Sequence, residues 1–519
     1  MKKIRYIVIL WTSINLLNAQ EPILVKDIFP GDGYGMETEK FSGAALGETL
    51  IFEARSGTLG NELWLTDGTA DGTHLLKDLN TGVEGSYPSN FVNYNNKVYF
   101  TAGGFYDGVL YETDGTPAGT HILIPNIRCN YASGGTFRFL DDKIFIHGYN
   151  GEAEGLFVSD GTGGEIGLLK ESHHISTFVP LNDKIYFSIY DPENQGLWVT
   201  DGTPEGTQLI KEGVILEEYG TLVYDNKIYF TYSDGVHGLE PWVTDGTPDG
   251  TFMIKDTYPG TNTGASDIFV TYNGEIYFRG GENSSLWKTD GTETGTMEVD
   301  PNFTTPKCVY NGKLITWHEE EDSGFELYAF DGSGFELIKD INPDGNSELF
   351  NFLVFNGLVY FIGSEDDVFD DFQLWLTDGT ESGTFKIQPG SSTEENSIYP
   401  IIRLITVGNN LYFPALYYSA FGRELYKLET TPLSVEDMEN SQKVKVYPNP
   451  VKDILNIAFE KDGNYAYSLY SLTGQTVKSG EFDRKTNQLT VSGLPKGVYV
   501  LKITDKSGKS VSTHKIMVK

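Results

Sequence analysis

The sequence predicts an all-β protein: a single closed β-propeller of about nine four-stranded blades, with eight as the alternative count, followed by a small Ig-like β-sandwich. Three observations carry that expectation. One phrase recurs eight times, and its fullest copies are Leu63–Thr73 (Leu-Trp-Leu-Thr-Asp-Gly-Thr-Ala-Asp-Gly-Thr), Leu197–Thr207, Glu240–Thr251 and Leu374–Thr384. Its aspartates (Asp67, Asp114, Asp160, Asp201, Asp245, Asp290, Asp331 and Asp378) recur every 41 to 47 residues, the length of one blade. The intervening segments alternate like strands and show no helical period.

Each unit opens with a hairpin around a polar turn, as in Leu181-Asn182-Asp183-Lys184, Tyr272-Asn273-Gly274-Glu275 and Phe355-Asn356-Gly357-Leu358. Asn-Gly and related pairs tolerate positive φ, so their turns match the twist of paired strands. A third strand carries an aromatic at a fixed place: Trp64, Tyr111, Phe157, Trp198, Trp242, Trp287, Tyr328, Trp375 and Tyr426. The Asp-Gly-Thr phrase then forms a tight loop into a fourth strand such as His74–Asp78, with Pro204 and Pro248 suited to a type I turn. The last unit lacks a fourth strand, whereas Ile23–Gly31 resembles the fourth strands elsewhere. A propeller over residues 20–429, its last blade closed by that N-terminal strand, leaves no open edge.

Residues 1–19 read as a signal peptide: Lys2, Lys3 and Arg5 precede an apolar Ile7–Leu17 and a small residue at Ala19. That apolar run is short for a bilayer span, and no transmembrane segment is expected after cleavage. Residues 20–429 carry a net charge of −42 within a chain of −35, whereas residues 444–519 carry +6. Such an acidic body repels nucleic acid and anionic membrane surfaces, and suits divalent cations, cationic partners or neutral glycans. Cys129 and Cys308 fall in distant units and are expected to remain separate thiols.

Residues 430–443 are polar, contain Pro432 and read as a linker. Beyond them six or seven short strands fill about 75 residues. Here Val446-Tyr447-Pro448-Asn449-Pro450, Leu494–Ile503 with Gly497 and Tyr499, and the terminal Lys515-Ile516-Met517-Val518-Lys519 resemble the type A C-terminal sorting domain of the type IX secretion system. The resemblance implies recognition by that secretion machinery, passage through the periplasm and delivery to the cell surface or medium.

The repeated aspartates offer oxygen donors that suit Ca²⁺, but an aspartate that caps its own turn must also recur in every unit, which favours a structural role. A ligand site is expected where units differ, on the loops between strands two and three and after strand four. These carry Glu319, Glu320, Asp322, Glu365, Asp366 and Asp367, candidate Ca²⁺ ligands, beside aromatics such as Tyr190 and Tyr417. No catalytic residue stands out: the eight histidines show no metal-ligand spacing, and no nucleophile elbow or phosphate loop is present. The expected function is a surface-displayed or released binding protein that recognises a glycan, cation or protein partner. A carbohydrate-active enzyme using loop carboxylates and a structural surface-layer protein are the alternatives.

Overall fold

The computed structural model describes residues 21–519 apart from 32, 37–40, 104–107, 130–136, 163, 165, 217–219, 322–323, 366–371, 390–397, 399–402, 419, 431–443, 448–450, 460–464, 472–475, 483–485, 495 and 506–509. The expected signal peptide and linker therefore lie outside the described residues. Every regular element is a β-strand, and the named sheets are antiparallel throughout.

One unit shows how the sequence builds the rest. Strands Gly43–Leu46, Thr49–Ser56, Gly60–Thr66 and His74–Lys77 pair in chain order. The first hairpin turns of several units use residues that accept positive φ: Asn95 and Asn96 at 48° and 58°, Asn273 and Gly274 at 51° and 82°. The four-strand meander recurs nine times over residues 23–429 of the described chain. Five copies are separate sheets; the other four form one eight-stranded and one seven-stranded sheet. The long strand Met297–Tyr310 creates the seven-stranded sheet, pairing first with Ser285–Thr289 and then with Lys313–Glu320.

Both faces of these sheets are buried, because neighbouring units pack face to face. Ala44, Ile51, Leu63 and Leu76 of one unit share a core with Phe91, Val98, Phe100 and Tyr111 of the next. Aromatic rings cross strands one to three as ladders: Phe91, Phe100 and Tyr111 follow one another at 5.4 Å, and Phe352, Phe361 and Trp375 at 5.0 and 6.2 Å. The two ends of the repeat region meet as well. Ile23–Lys26 pairs antiparallel with Gly422–Glu429, with Ile23 opposite Lys427, and residues from Val25 to Trp64 share one core with residues from Leu358 to Leu428.

Lysines fasten outer strands to the unit that follows. Lys77 Nζ donates to the carbonyls of Pro117 and Thr120, Lys211 to Pro248 and Thr251, and Lys255 to Glu293 and Thr296. Lys26, on the N-terminal strand, makes the same pair of bonds to Ala70 and Thr73.

Residues 444–518 form two further sheets: Val444–Tyr447, Ile454–Phe459 and Thr486–Thr490 in one, and Tyr465–Ser471, Thr476–Phe482, Gly497–Asp505 and Ser510–Val518 in the other. Leu455, Ile457, Leu469, Leu501 and Ile516, all fully buried, belong to one core drawn from both.

Candidate functional site

The repeat turns organise themselves. Asp67 Oδ1 accepts the N–H of Thr69 at 2.9 Å and its hydroxyl at 2.7 Å. Thr66 and Thr73 join their hydroxyls at 2.6 Å, and Thr69 Oγ1 accepts the Gly72 N–H. A Cβ added to Gly72 would overlap the Asp67 carboxylate, so the second glycine of the phrase is required by contact rather than by φ. The Thr69 bonds, led by the hydroxyl, hold the Asp67 pKa below its usual value. The same bonds recur at Asp114, Asp201, Asp245, Asp290 and Asp378, and shorter versions at Asp160 and Asp331.

A second set of carboxylates is fully buried: Glu62, Glu240, Glu326 and Glu424, each two residues before the third-strand aromatic. Each holds the loop that leaves a fourth strand. Glu424 accepts the N–H groups of Ile28 and Phe29 at 3.1 and 3.0 Å, and Glu240 those of Thr257 and Tyr258 at 2.8 and 3.3 Å. Glu326 takes Ile341, Asn342 and Ser347, while Glu62 takes Leu79 and the Ser86 hydroxyl.

Burial raises all four pKa values, and the neighbouring charges of Asp78, Asp256, Asp340 and Asp27 raise them further. Glu326 and Glu424 are pushed up to about 7. The four aspartates each bury an Oδ1 without a hydrogen-bond partner among the described residues. The pairing is readable within the chain. Where the glutamate is replaced by Val109, Gly155, Gly196, Ser285 or Gln373, the position eleven residues after the turn aspartate, which Asp78 and Asp256 occupy in their units, holds Pro125, Glu171, Glu212, Pro301 or Pro389. Sequence reasoning passed over this co-occurrence.

The expected loop sites lie apart. Glu319 and Glu320 are exposed at the end of Lys313–Glu320, and Glu320 sits 3.2 Å from His318 Nε2. Glu365 pairs with Lys386 at 2.5 Å. Asp322, Asp366 and Asp367 lie outside the described residues. No three His, Cys, Asp or Glu side chains among the described residues are arranged to hold a metal ion. His173 and His174 turn to different carboxylates, Glu154 at 2.8 Å and Asp191 at 3.0 Å. Tyr417, expected on an exposed loop, is buried: it meets Tyr426 edge-on at 4.9 Å. Cys129 and Cys308 are free thiols whose pKa values burial pushes up to about 12.

A cavity of about 620 Å³ opens instead on the first strands of several units. Residues 43–45, 91–93 and 403–406 line it together with Arg138 and Leu353, drawn from the first three and last two units of the repeat region. Asn93 ties two of these strands by donating to the Ala45 carbonyl. Among the described residues the lining holds two charged side chains, both arginines, and no carboxylate. Arg138 gives its Nε–H to the Phe178 carbonyl at 3.4 Å. Both guanidinium side chains are exposed, and their charge is fixed at any working pH. Nothing in the sequence marked these residues, because the first strands of the units carry no repeated phrase.

Comparison with known proteins follows the same division. Residues 445–519 match the secretion system C-terminal sorting domain family. Of the expected sorting residues, Tyr447 ends a strand, Gly497 begins one, Tyr499 is buried, Lys515 lies in the last strand, and the Lys519 N–H donates to Val451; Pro448, Asn449 and Pro450 lie outside the described residues.

Over 153 residues the chain is 29% identical to an endo-acting ulvan lyase of Formosa agariphila, spanning 29% of this chain and 28% of that protein. Over 249 residues it is 25% identical to β-agarase D of Zobellia galactanivorans, spanning 47% of this chain and 48% of that one. The chain thus spans less than half the length of either relative.

Among solved structures, PorZ, a surface component of the type IX secretion system of Porphyromonas gingivalis, aligns with 90% of this chain and 85% of its own, at 12% identity and a TM-score of 0.24. The β-propeller domain of the trilobed protease of Pyrococcus furiosus aligns with 68% of this chain and 98% of its own, at 13% identity and a TM-score of 0.33. The matched C-terminal domain marks the protein for the type IX secretion machinery and for export to the cell surface or the extracellular medium.

Proposed function

We propose that this exported protein binds a glycan in the cavity of its innermost strands, within one closed ring of nine blades. The observation that carries the reading is the cavity itself. Its volume of about 620 Å³ lies in the range of small-molecule sites, and its lining surface is more polar than apolar, which suits a hydroxyl-rich ligand. Closure of the ring is supported by Ile23–Lys26 completing the last sheet, and by Lys26 repeating the clasp that Lys77, Lys211 and Lys255 make between consecutive units. It is supported again by a cavity that needs the first three and last two units side by side. The two curated relatives are by name enzymes of polysaccharides, which favours a carbohydrate ligand.

A glycan array with the purified full chain tests the proposal. Selective retention of one polysaccharide class is expected, and its loss on substituting Thr406→Trp to fill the cavity. Binding that survives the filled cavity refutes the cavity as the site. The same relatives favour a second reading, a polysaccharide-cleaving enzyme. Release of reducing ends or unsaturated products from the bound glycan would establish it.

A further inference from the structure

The whole chain holds 73 acidic residues against 38 basic ones, and eight of the basic ones are arginines. A cavity wall drawn at random from such a composition would be acidic. Among the described residues this one carries Arg138 and Arg403 and no carboxylate. The two come from different units, the third and the ninth, so the cavity brings together charges that lie 265 positions apart in the chain.

We propose that the cavity selects a sugar bearing an oxyanion, a carboxylate or a sulfate, gripped by Arg138 and Arg403. This inference rests on the glycan-binding reading and narrows it. A guanidinium presents a planar fork of N–H donors that matches a carboxylate or sulfate edge two bonds at a time. Arg138 keeps its terminal NH2 groups for such a grip, since its bond to the Phe178 carbonyl uses Nε. The apolar positions Phe91, Val92, Leu353, Leu404 and Ile405 supply the walls around them. Two fixed positive charges set in an acidic body favour anion binding at this cavity. At physiological salt the outer carboxylates are screened beyond about 8 Å, so they do not cancel a contact made at hydrogen-bond distance.

The choice of residues also bears on selectivity. A neutral sugar that entered would leave two guanidinium groups facing a ligand with no charge to meet them, and would displace the water that satisfies them. Discrimination therefore comes from both sides: a gain for the anionic sugar and a loss for its neutral analogue.

Isothermal titration calorimetry on the full chain at 150 mM salt separates the outcomes. The probes are trigalacturonate, its methyl ester, a monosulfated galactobiose and unsulfated galactobiose. The expected result is binding of at least one anionic sugar ten times or more tighter than its neutral counterpart. Arg403→Gln and Arg138→Gln should each weaken it about tenfold, as loss of a charged hydrogen bond does, with Arg403→Lys falling between. Which anionic probe binds identifies the oxyanion. Equal binding of charged and neutral probes, or unchanged affinity in both glutamine variants, overturns the inference and leaves glycan binding standing. Binding of none of the four, with the array still retaining a glycan, overturns the inference alone; an array with no retained glycan overturns both. Arg403 makes no hydrogen bond among the described residues, so its variants should melt with the parent chain and keep the comparison valid.

Discussion

Raising the pH from 5 to 8 should destabilise residues 23–429 through Glu326 and Glu424. Both are fully buried and pushed up to about 7, from an ordinary value of 4.5. A folded value above the unfolded one means that the native chain binds the proton more tightly. The resulting stability is complete below pH 4.5 and is lost as the pH rises through 7. A difference of that size corresponds to about 3 kcal/mol per group, a large part of the stability of most domains. The turn aspartates act in another window: their values lie below 3.8, so they stay ionised throughout.

Urea unfolding followed by tryptophan fluorescence reads the effect, because Trp64, Trp198, Trp242, Trp287, Trp317 and Trp375 all precede the C-terminal sheets. The chain's net charge of −35 also relaxes on acidification, so the control is Glu326→Gln with Glu424→Gln. That variant is less stable at every pH, since an amide NH2 must face a backbone N–H. Its profile between pH 5 and 8 should nevertheless be flatter by about 3 kcal/mol for each residue changed. An unchanged slope would show that the backbone donors keep both carboxylates ionised, and would refute the reasoning.

Three further outcomes are expected. Gly206→Ala should lower stability by about 1–3 kcal/mol, because the new methyl displaces the Asp201 carboxylate from its turn; an unaltered melting temperature would show that the turn has room. Deleting residues 20–28 removes Ile23–Lys26 and the Ile28 donor to Glu424, and should cost several kcal/mol and promote association; a monomer with parental melting would contradict this. Removing residues 444–519 should strand the protein in the periplasm, and mass spectrometry should place the end of the mature secreted form near residues 430–443; a surface protein that retains Lys519 would contradict that cleavage.

The all-β class was legible because strands and turns repeat. Asn95-Asn96 and Asn273-Gly274 lie at hairpin tips, and β-branched or aromatic residues alternate on either side. The sorting domain was legible because its motifs are local and ordered along the chain. The cavity was not. Arg138 and Arg403 acquire meaning only when distant first strands converge, and no spacing in the chain encodes that convergence. The buried glutamates were hidden differently. Glu240 stands inside the repeated phrase, yet a glutamate beside a tryptophan reads as an exposed strand residue until its partner Asp256 is set against it. Tyr417 reversed expectation because its strand, Asn410–Tyr418, runs further than the hairpin pattern suggests and carries the ring into the core.

The pairing of Ile23–Lys26 with Gly422–Glu429 makes an early strand of the repeat region wait for the last one. Ile28 and its acceptor Glu424 stand 396 positions apart. Closing a loop that long, rather than one of about 44 residues, adds about 2 kcal/mol of chain entropy. Until that moment the opening segment has no strand to lie against. Completion of the last sheet is therefore a report on length: a polypeptide interrupted anywhere before residue 422 keeps a raw edge, visible to proteases, that only a copy reaching the last strand of the repeat region can hide.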